Sequence, residues 1–199
     1  MLNKLIRDIP GLLRLAGPLL VGQLAVIAFG VLDTAMVARY SATDLAALAM
    51  AGAIFISIYV GLTGVVSALA PIAGQLFGAL RLPEIGEEVR QAWWLSLGLS
   101  LLGIIILINP EPLLSIAESN PEVEAKAILY LQIVALGLPA SMALRVLVGF
   151  HNAISRPAVI TWIQIGGLLL KIPLNALFIY GLGSFEGLGA PGCAIATVI

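Results

Sequence analysis

The chain is poor in the side chains that usually bind metals and cofactors. Its 199 residues include one cysteine and one histidine. A single cysteine, Cys193, excludes a disulfide within the chain and any cage of cysteine ligands for a metal. The sequence also lacks the motifs of hydrolases, phosphate-binding loops and haem proteins. We therefore expect no resident metal or cofactor.

Charged side chains are scarce as well. They form 11% of the sequence and hydrophobic residues form 60%, whereas soluble domains usually carry about a quarter of charged residues. Uninterrupted apolar runs of this length predict helices that span a bilayer. The composition indicates an all-α integral membrane protein whose solvent is the lipid bilayer. A net charge of -1 gives no sign of nucleic-acid binding.

Hydropathy predicts five spans and the start of a sixth. We place them at residues 15–38, 45–80, 91–108, 127–150 and 158–182, with the sixth beginning within residues 187–199. The last apolar run is too short to cross a bilayer. We expect the chain to be a fragment of a longer protein. The alternative is a natural five-span protein with a buried C-terminus.

The second span is longer than a bilayer requires. Residues 45–80 contain no charged side chain, and one helix of that length measures about 54 Å, against a hydrocarbon core of about 30 Å. We predict a single long helix, tilted or protruding. Possible bend points within it are Gly61, Gly64, Pro71 and Gly74.

Basic residues predict the orientation of the chain. Seven of them fall on one side of the predicted spans: Lys4, Arg7, Arg14, Arg81, Arg90, Arg145 and Arg156. The other side has Arg39 and Lys126. Cytoplasmic loops carry the excess of Lys and Arg, so we expect the N-terminus in the cytoplasm.

One acidic residue interrupts the first span. Asp33 is the only ionisable side chain between Leu15 and Ala38. A charge inside a span is costly, by about 2.5 to 3.5 kcal/mol on insertion scales, and normally faces a cavity or a partner. A carboxylate in a cavity suits a proton or sodium site. The alternative is an aspartate close enough to the outer interface to stay hydrated.

A second ionisable residue, Lys171, lies within the fifth span. Its predicted depth is near that of Asp33, so we hypothesise that the two form an ion pair inside the bundle. Alternatively, Lys171 extends along its own helix to the lipid headgroups. Asn175 follows four residues later and shares its helix face, which suggests a lined cavity, although asparagine is also common in contacts between membrane helices.

Besides Pro71, three prolines lie within predicted spans, where they remove backbone hydrogen bonds. Pro18, Pro139 and Pro173 fall in spans one, four and five. Such breaks are tolerated where neighbouring groups or water satisfy the freed carbonyls. Bent spans around a polar cavity are typical of transporters.

Three stretches of the sequence resemble one family of secondary transporters. They are GPLLVGQLAVIAFGVLDTAMVARYSATDLAALAMA in the first span and following loop, GFHNAISRP after span four, and KIPLNALFIYGLGSFEGLGAPGCAIATVI from span five to the chain end. Their order and spacing resemble those of the multidrug and toxic compound extrusion (MATE) family. The resemblance covers essentially the whole chain.

The resemblance implies twelve spans in two lobes around a cavity that opens alternately to either side of a bacterial inner membrane. This chain would be the N-terminal lobe, and its partner would be the C-terminal lobe of the same protein. Cationic or amphipathic small molecules would leave in antiport with H⁺ or Na⁺. By position, Asp33 matches an acidic residue implicated in cation coupling, and Asn175 and Thr197 match positions of the same pocket.

Lys171 departs from the family pattern, in which asparagine is common at this position. An ammonium beside Asp33 would supply a tethered cation where the family is thought to bind a mobile one, so a sodium site at Asp33 becomes less favoured. We hypothesise instead that protonation of Asp33 breaks its salt bridge to Lys171. A lipid-linked oligosaccharide flippase of the same superfamily is the alternative, expected to carry more basic residues in its cavity. A membrane-embedded enzyme would need clustered histidines, paired acids or a nucleophile with its base, and none of these appears in the sequence, so we do not expect an enzyme.

Overall fold

The computed structural model describes residues 2–114, 120–182 and 185–199, with side chains from Ala16 onward except that of Phe185. These residues form eight helices and one two-stranded hairpin. The elements are α1 (Leu2–Tyr40), α2 (Ala42–Val66), α3 (Leu69–Gly78), α4 (Leu82–Ile108), α5 (Glu111–Leu114), α6 (Pro121–Ala153), α7 (Ala158–Tyr180), β1 (Gly181–Leu182), β2 (Phe185–Glu186) and α8 (Ala190–Val198). The side chains of Lys4, Arg7 and Arg14 lie outside the described residues.

Five segments of the described chain are long and apolar enough to cross a membrane. They are Ala16–Tyr40, Ala42–Gly78, Leu82–Ile108, Pro121–Ala153 and Ala158–Tyr180. Large apolar side chains remain exposed along them: on α1, Leu20, Leu24, Ile27 and Val31 are each more than 60% exposed. Their spacing of three or four residues places them on one helix face. Such a face is expected where lipid rather than water is the solvent. The all-α, multi-span class predicted from composition is confirmed.

The single long segment that we predicted over residues 45–80, with possible bend points, corresponds to one membrane-crossing segment, Ala42–Gly78, which consists of the two helices α2 and α3. The helix is interrupted at Ser67 and Ala68, between α2 and α3. Pro71 has no N–H to donate to the Ser67 carbonyl, and the Ala70 N–H occupies that carbonyl at 3.3 Å. Both interrupting residues keep right-handed helical dihedral angles. The chain therefore continues in the same general direction, with one turn of tighter hydrogen bonding.

Helix α6 is the centre of the packing. It contacts α2, α3, α4, α7 and α8, and Leu131, Leu138 and Met142 on it are fully buried. A Cβ added to Gly103 of α4 would lie 2.3 Å from Leu138 Cδ2. Small residues let membrane helices approach closely. The first helix, by contrast, packs mainly against α7.

Helix α8 begins at a tight hairpin after α7. The backbone of Gly189 has a φ of 63°, a left-handed conformation that glycine adopts without strain. The N–H groups of Leu188 and Gly189 donate to the carbonyls of Phe178 and Ile179. A Cβ on Gly192 would lie 2.1 Å from the Phe178 carbonyl oxygen. The first turn of α8 therefore lies directly against the last turn of α7.

The three prolines that we expected at bends lie inside continuous helices. Pro18 falls in α1, Pro139 in α6 and Pro173 in α7. At Pro18, the carbonyl accepts a hydrogen bond of 2.7 Å from the Thr161 hydroxyl of α7. This hydrogen bond links α1 to α7 at the position of Pro18. The role of these prolines as bend points during transport stays a prediction.

Candidate functional site

Asp33 lies on the face of α1 that packs against α7. Gly22, Ala25, Asp33 and Val37 are the buried positions of the described part of α1, and they recur with helical spacing. The Asp33 side chain is 12% exposed. The structure therefore places this carboxylate inside the bundle and not at a hydrated outer interface.

Both oxygens of Asp33 accept hydrogen bonds from α7. Lys171 Nζ lies 2.6 Å from Asp33 Oδ2, and Asn175 Nδ2 lies 2.7 Å from Asp33 Oδ1. The two donors are four residues apart and therefore share one face of α7. The ion pair that we hypothesised from the sequence is present in the structure.

The Lys171 ammonium has contacts on three sides. Besides Asp33, it donates to Thr197 Oγ1 of α8 at 3.0 Å, and it lies 5.2 Å from the centre of the Phe29 ring. A cation over an aromatic face at this distance is attracted by the ring quadrupole. Lys171 is only 5% exposed, so its side chain ends in the bundle and not at the lipid headgroups.

Asn175 is fully buried beside the pair. Its amide nitrogen serves Asp33, while its Oδ1 has no hydrogen-bond partner among the described residues. An asparagine amide can donate or accept, depending on which of its ends faces a neighbour. The residue can therefore serve Asp33 as a donor when the carboxylate is ionised and, after rotation of the amide, as an acceptor when it carries a proton.

Two further titratable side chains lie within electrostatic range of Asp33. They are Tyr130 of α6 and Cys193 of α8, and both are buried. Tyrosine and cysteine are ordinarily uncharged at neutral pH. In the part of the chain that the structure describes, no group of three or more His, Cys, Asp and Glu side chains is placed to hold a metal ion. The charge of the site therefore comes from Asp33 and Lys171.

A cavity of about 390 Å³ borders the ion pair between α1, α6, α7 and α8. Most of its lining is apolar, and the polar contributors are Gln164, Lys171 and Thr197. Among the described residues, Lys171 is the one charged side chain in the wall. All four residues that we singled out from the sequence, namely Asp33, Lys171, Asn175 and Thr197, thus meet at one place.

A second ion pair, which we missed in the sequence, lies where α2, α6 and α8 meet. Lys126 Nζ is 2.7 Å from Asp44 Oδ2, and the Ala190 N–H at the start of α8 donates to Asp44 Oδ1 at 2.9 Å. Asp44 is 1% exposed. Nearby, the Tyr40 hydroxyl donates to the Gly187 carbonyl and the Tyr180 hydroxyl to the Met36 carbonyl. These contacts fix the hairpin and α8 to the ends of α1 and α2.

The chain is similar in sequence to proteins that are named multidrug resistance proteins. The chain is 38% identical over 191 residues to multidrug resistance protein PmpM of Pseudomonas aeruginosa, covering 96% of this chain and 40% of the relative. It is 36% identical over 197 residues to multidrug resistance protein MdtK of Edwardsiella ictaluri, covering 98% of this chain and 43% of the relative. The chain thus spans about two-fifths of the length of these relatives.

The fold also matches solved structures. One is described as the outward-facing conformation of a multidrug resistance MATE family transporter of the MOP superfamily, with a TM-score of 0.84 and 22% sequence identity over 94% of this chain and 41% of that one. At this identity the likeness shows a shared fold. The MatE family model matches residues 18–177, which confirms the resemblance found in the motifs, and the chain belongs to the MatE family.

Proposed function

We propose that this chain is the N-terminal lobe of a secondary transporter that exports cationic or amphipathic compounds from a bacterial cell in exchange for protons. The family membership, the names of the relatives and their greater length support this proposal. The observation that carries it is the ion pair of Asp33 with Lys171 beside an apolar cavity. Ionisable residues buried inside membrane spans generally mark ion or proton pathways.

The geometry favours a proton over sodium as the coupling ion at Asp33. A sodium ion would need free oxygen atoms, and both Asp33 oxygens already accept hydrogen bonds from Lys171 and Asn175. A proton needs only one of these oxygens and replaces the contact there. The Lys171 ammonium therefore occupies the position in which a mobile metal cation would have to bind.

Protonation of Asp33 would loosen the contact between α1 and α7. The neutral acid no longer attracts the ammonium, so the strongest polar link between these helices is lost. Since α1 packs mainly against α7, it is the helix most free to move when that link weakens. We propose that this rearrangement changes the access of the cavity and releases its occupant.

The wall of the cavity favours an exporter of drugs over a flippase for lipid-linked oligosaccharides. A flippase must hold phosphate groups, which calls for several free basic side chains. Lys171 is paired with Asp33. Arg145 lies over the Tyr59 ring, 5.8 Å from its centre, and outside this cavity.

The decisive experiment measures efflux from proteoliposomes that contain the full-length transporter, with this chain joined to its C-terminal lobe. We expect a pH gradient to drive export of ethidium, a cationic dye, and Asp33→Asn to reduce the rate at least about ten-fold, as loss of a proton-transfer group commonly does. Glu87→Gln is the control, because Glu87 is an exposed acid on α4. Export that a sodium gradient alone sustains, or that Asp33→Asn leaves intact, would refute the proposal.

A further inference from the structure

We propose that Lys171 determines which charge the cavity accepts, so that protonation of Asp33 changes the site from neutral to positive instead of from negative to neutral. This inference rests on the proposed function and makes it more specific. It assigns to Lys171 the role of a specificity-determining residue for the charge of the transported compound.

The two charges of the pair differ in their position relative to the cavity. Lys171 and Thr197 are part of the cavity wall, whereas Asp33 is not among the residues that line it. The ammonium is bound to both Asp33 Oδ2 and Thr197 Oγ1. A compound in the cavity therefore meets the ammonium before it meets the carboxylate.

The groups around the ion pair leave the charge of the site to Asp33 and Lys171. Tyr130 and Cys193 are ordinarily uncharged, and Asn175 has no charge. Among the described side chains of the helices around the pair, Asp44 and Glu122 pair with Lys126, Arg39 is exposed, and Arg145 lies over Tyr59. The site is thus neutral while Asp33 is ionised and gains one positive charge when Asp33 takes up a proton.

Protonation of Asp33 would change the electrostatic interaction of the site with a bound cation. In a site without Lys171, protonation would only remove an attraction. Here it leaves an unpaired ammonium in the wall, which repels a cation and attracts an anion. At a separation of roughly 10 Å and an effective dielectric constant of about 20, one unit charge changes the affinity for a monovalent ion by about ten-fold or more. Proton uptake would expel cationic cargo directly.

The test uses two ions of nearly equal size and permanent opposite charge, tetraphenylphosphonium and tetraphenylborate. Their affinities for the full-length transporter in nanodiscs are measured by equilibrium dialysis, and the ratio of cation affinity to anion affinity is compared among variants. Four variants set the site charge without a change of pH: wild type (neutral), Asp33→Asn (positive), Lys171→Gln (negative) and the double variant (neutral).

We expect the ratio to be highest in Lys171→Gln and lowest in Asp33→Asn. The wild type and the double variant should lie between them and close to each other. Neighbouring levels should differ by about a hundred-fold, because each unit of charge changes the two affinities by about ten-fold in opposite directions. Lys171→Arg should resemble the wild type because it keeps the charge. Arg90→Gln should leave the ratio unchanged, since it removes an exposed positive charge on α4, which does not line the cavity.

Two results would separate the failure of this inference from that of the proposed function. Equal ratios in the four variants would overturn the charge assignment of Lys171, even if Asp33→Asn abolishes proton-driven efflux. If the four ratios follow the expected order but the wild type does not move toward the Asp33→Asn value as pH falls, Lys171 sets the selectivity while Asp33 is not the coupling site. A variant that fails to assemble is replaced by Lys171→Met, which must give the Lys171→Gln result.

Discussion

Asn175 is the second donor on which ionised Asp33 depends. It is fully buried, and its amide lies 2.7 Å from Asp33 Oδ1. Replacement by leucine removes this hydrogen bond to a buried carboxylate, which costs about 1 to 3 kcal/mol of stability. We expect Asn175→Leu to lower the unfolding midpoint of the full-length transporter in detergent. Asn152→Leu, at an exposed position of α6, should change stability by less than about 0.5 kcal/mol. Equal effects of both variants would contradict the role given to Asn175.

For individual residues, the sequence indicated which side chains belong to the site but not how they are arranged. Asp33 and Lys171 stand out because ionisable residues in apolar spans are rare, and Asn175 follows from the helical period. The contact between α1 and α7 depends on which helices become neighbours and on how each helix is rotated about its axis. A hydropathy pattern predicts neither the neighbours nor the rotation. Asp44 was missed because a charge at the edge of a span is ordinary, and its local pattern, Ser41 to Asp44, indicates only the start of a helix.

At the scale of elements, Asp44 is the anchor of α8. It accepts from the Ala190 N–H and pairs with Lys126, so it holds the first turn of α8 against α2 and α6. Negative charge at a helix N-terminus is also favoured by the helix dipole. We expect Asp44→Ala to destabilise the protein by about 2 kcal/mol or more, because two hydrogen bonds that involve a charged group are lost. Amide hydrogen exchange should accelerate at the start of α8 more than in α4.

Glu122 provides the matched control for that prediction. It also pairs with Lys126, at 3.4 Å, but its side chain is 65% exposed. Exposed ion pairs contribute at most about 1 kcal/mol, so Glu122→Gln should leave both stability and the exchange of α8 nearly unchanged. If Asp44→Ala had no more effect than Glu122→Gln, the anchor would be refuted.

Elements were predictable to the extent that hydropathy defines them. Apolar runs revealed the five membrane-crossing segments because a bilayer requires long helices. The sequence indicated possible bend points around the interruption but not its position at Ser67 and Ala68, which also depends on how α3 packs on α4 and α6. Gly64 and Pro71 on either side mark the weak region without selecting the residue.

For the whole molecule, successive spans cross the bundle in alternate directions, so its contacts separate into two ends. Tyr40, Asp44, Lys126 and Ala190 meet at one end, while the Thr161 contact to the Pro18 carbonyl lies toward the other. Most basic residues flank the second end, which the positive-inside rule assigns to the cytoplasm. This orientation remains a prediction that follows from charge and not from packing.

Labelling of single introduced cysteines would test the orientation. The natural Cys193 should not react with the label because it is completely buried. Ala125 is exposed at the first end and Leu80 is 82% exposed at the second. In intact cells that produce the full-length transporter, a membrane-impermeant maleimide should label Ala125→Cys, and it should label Leu80→Cys only after the membrane is opened. The unaltered protein serves as the control for background labelling. The reverse pattern would place the end that contains Asp44 and Lys126 on the cytoplasmic side and would contradict the predicted orientation.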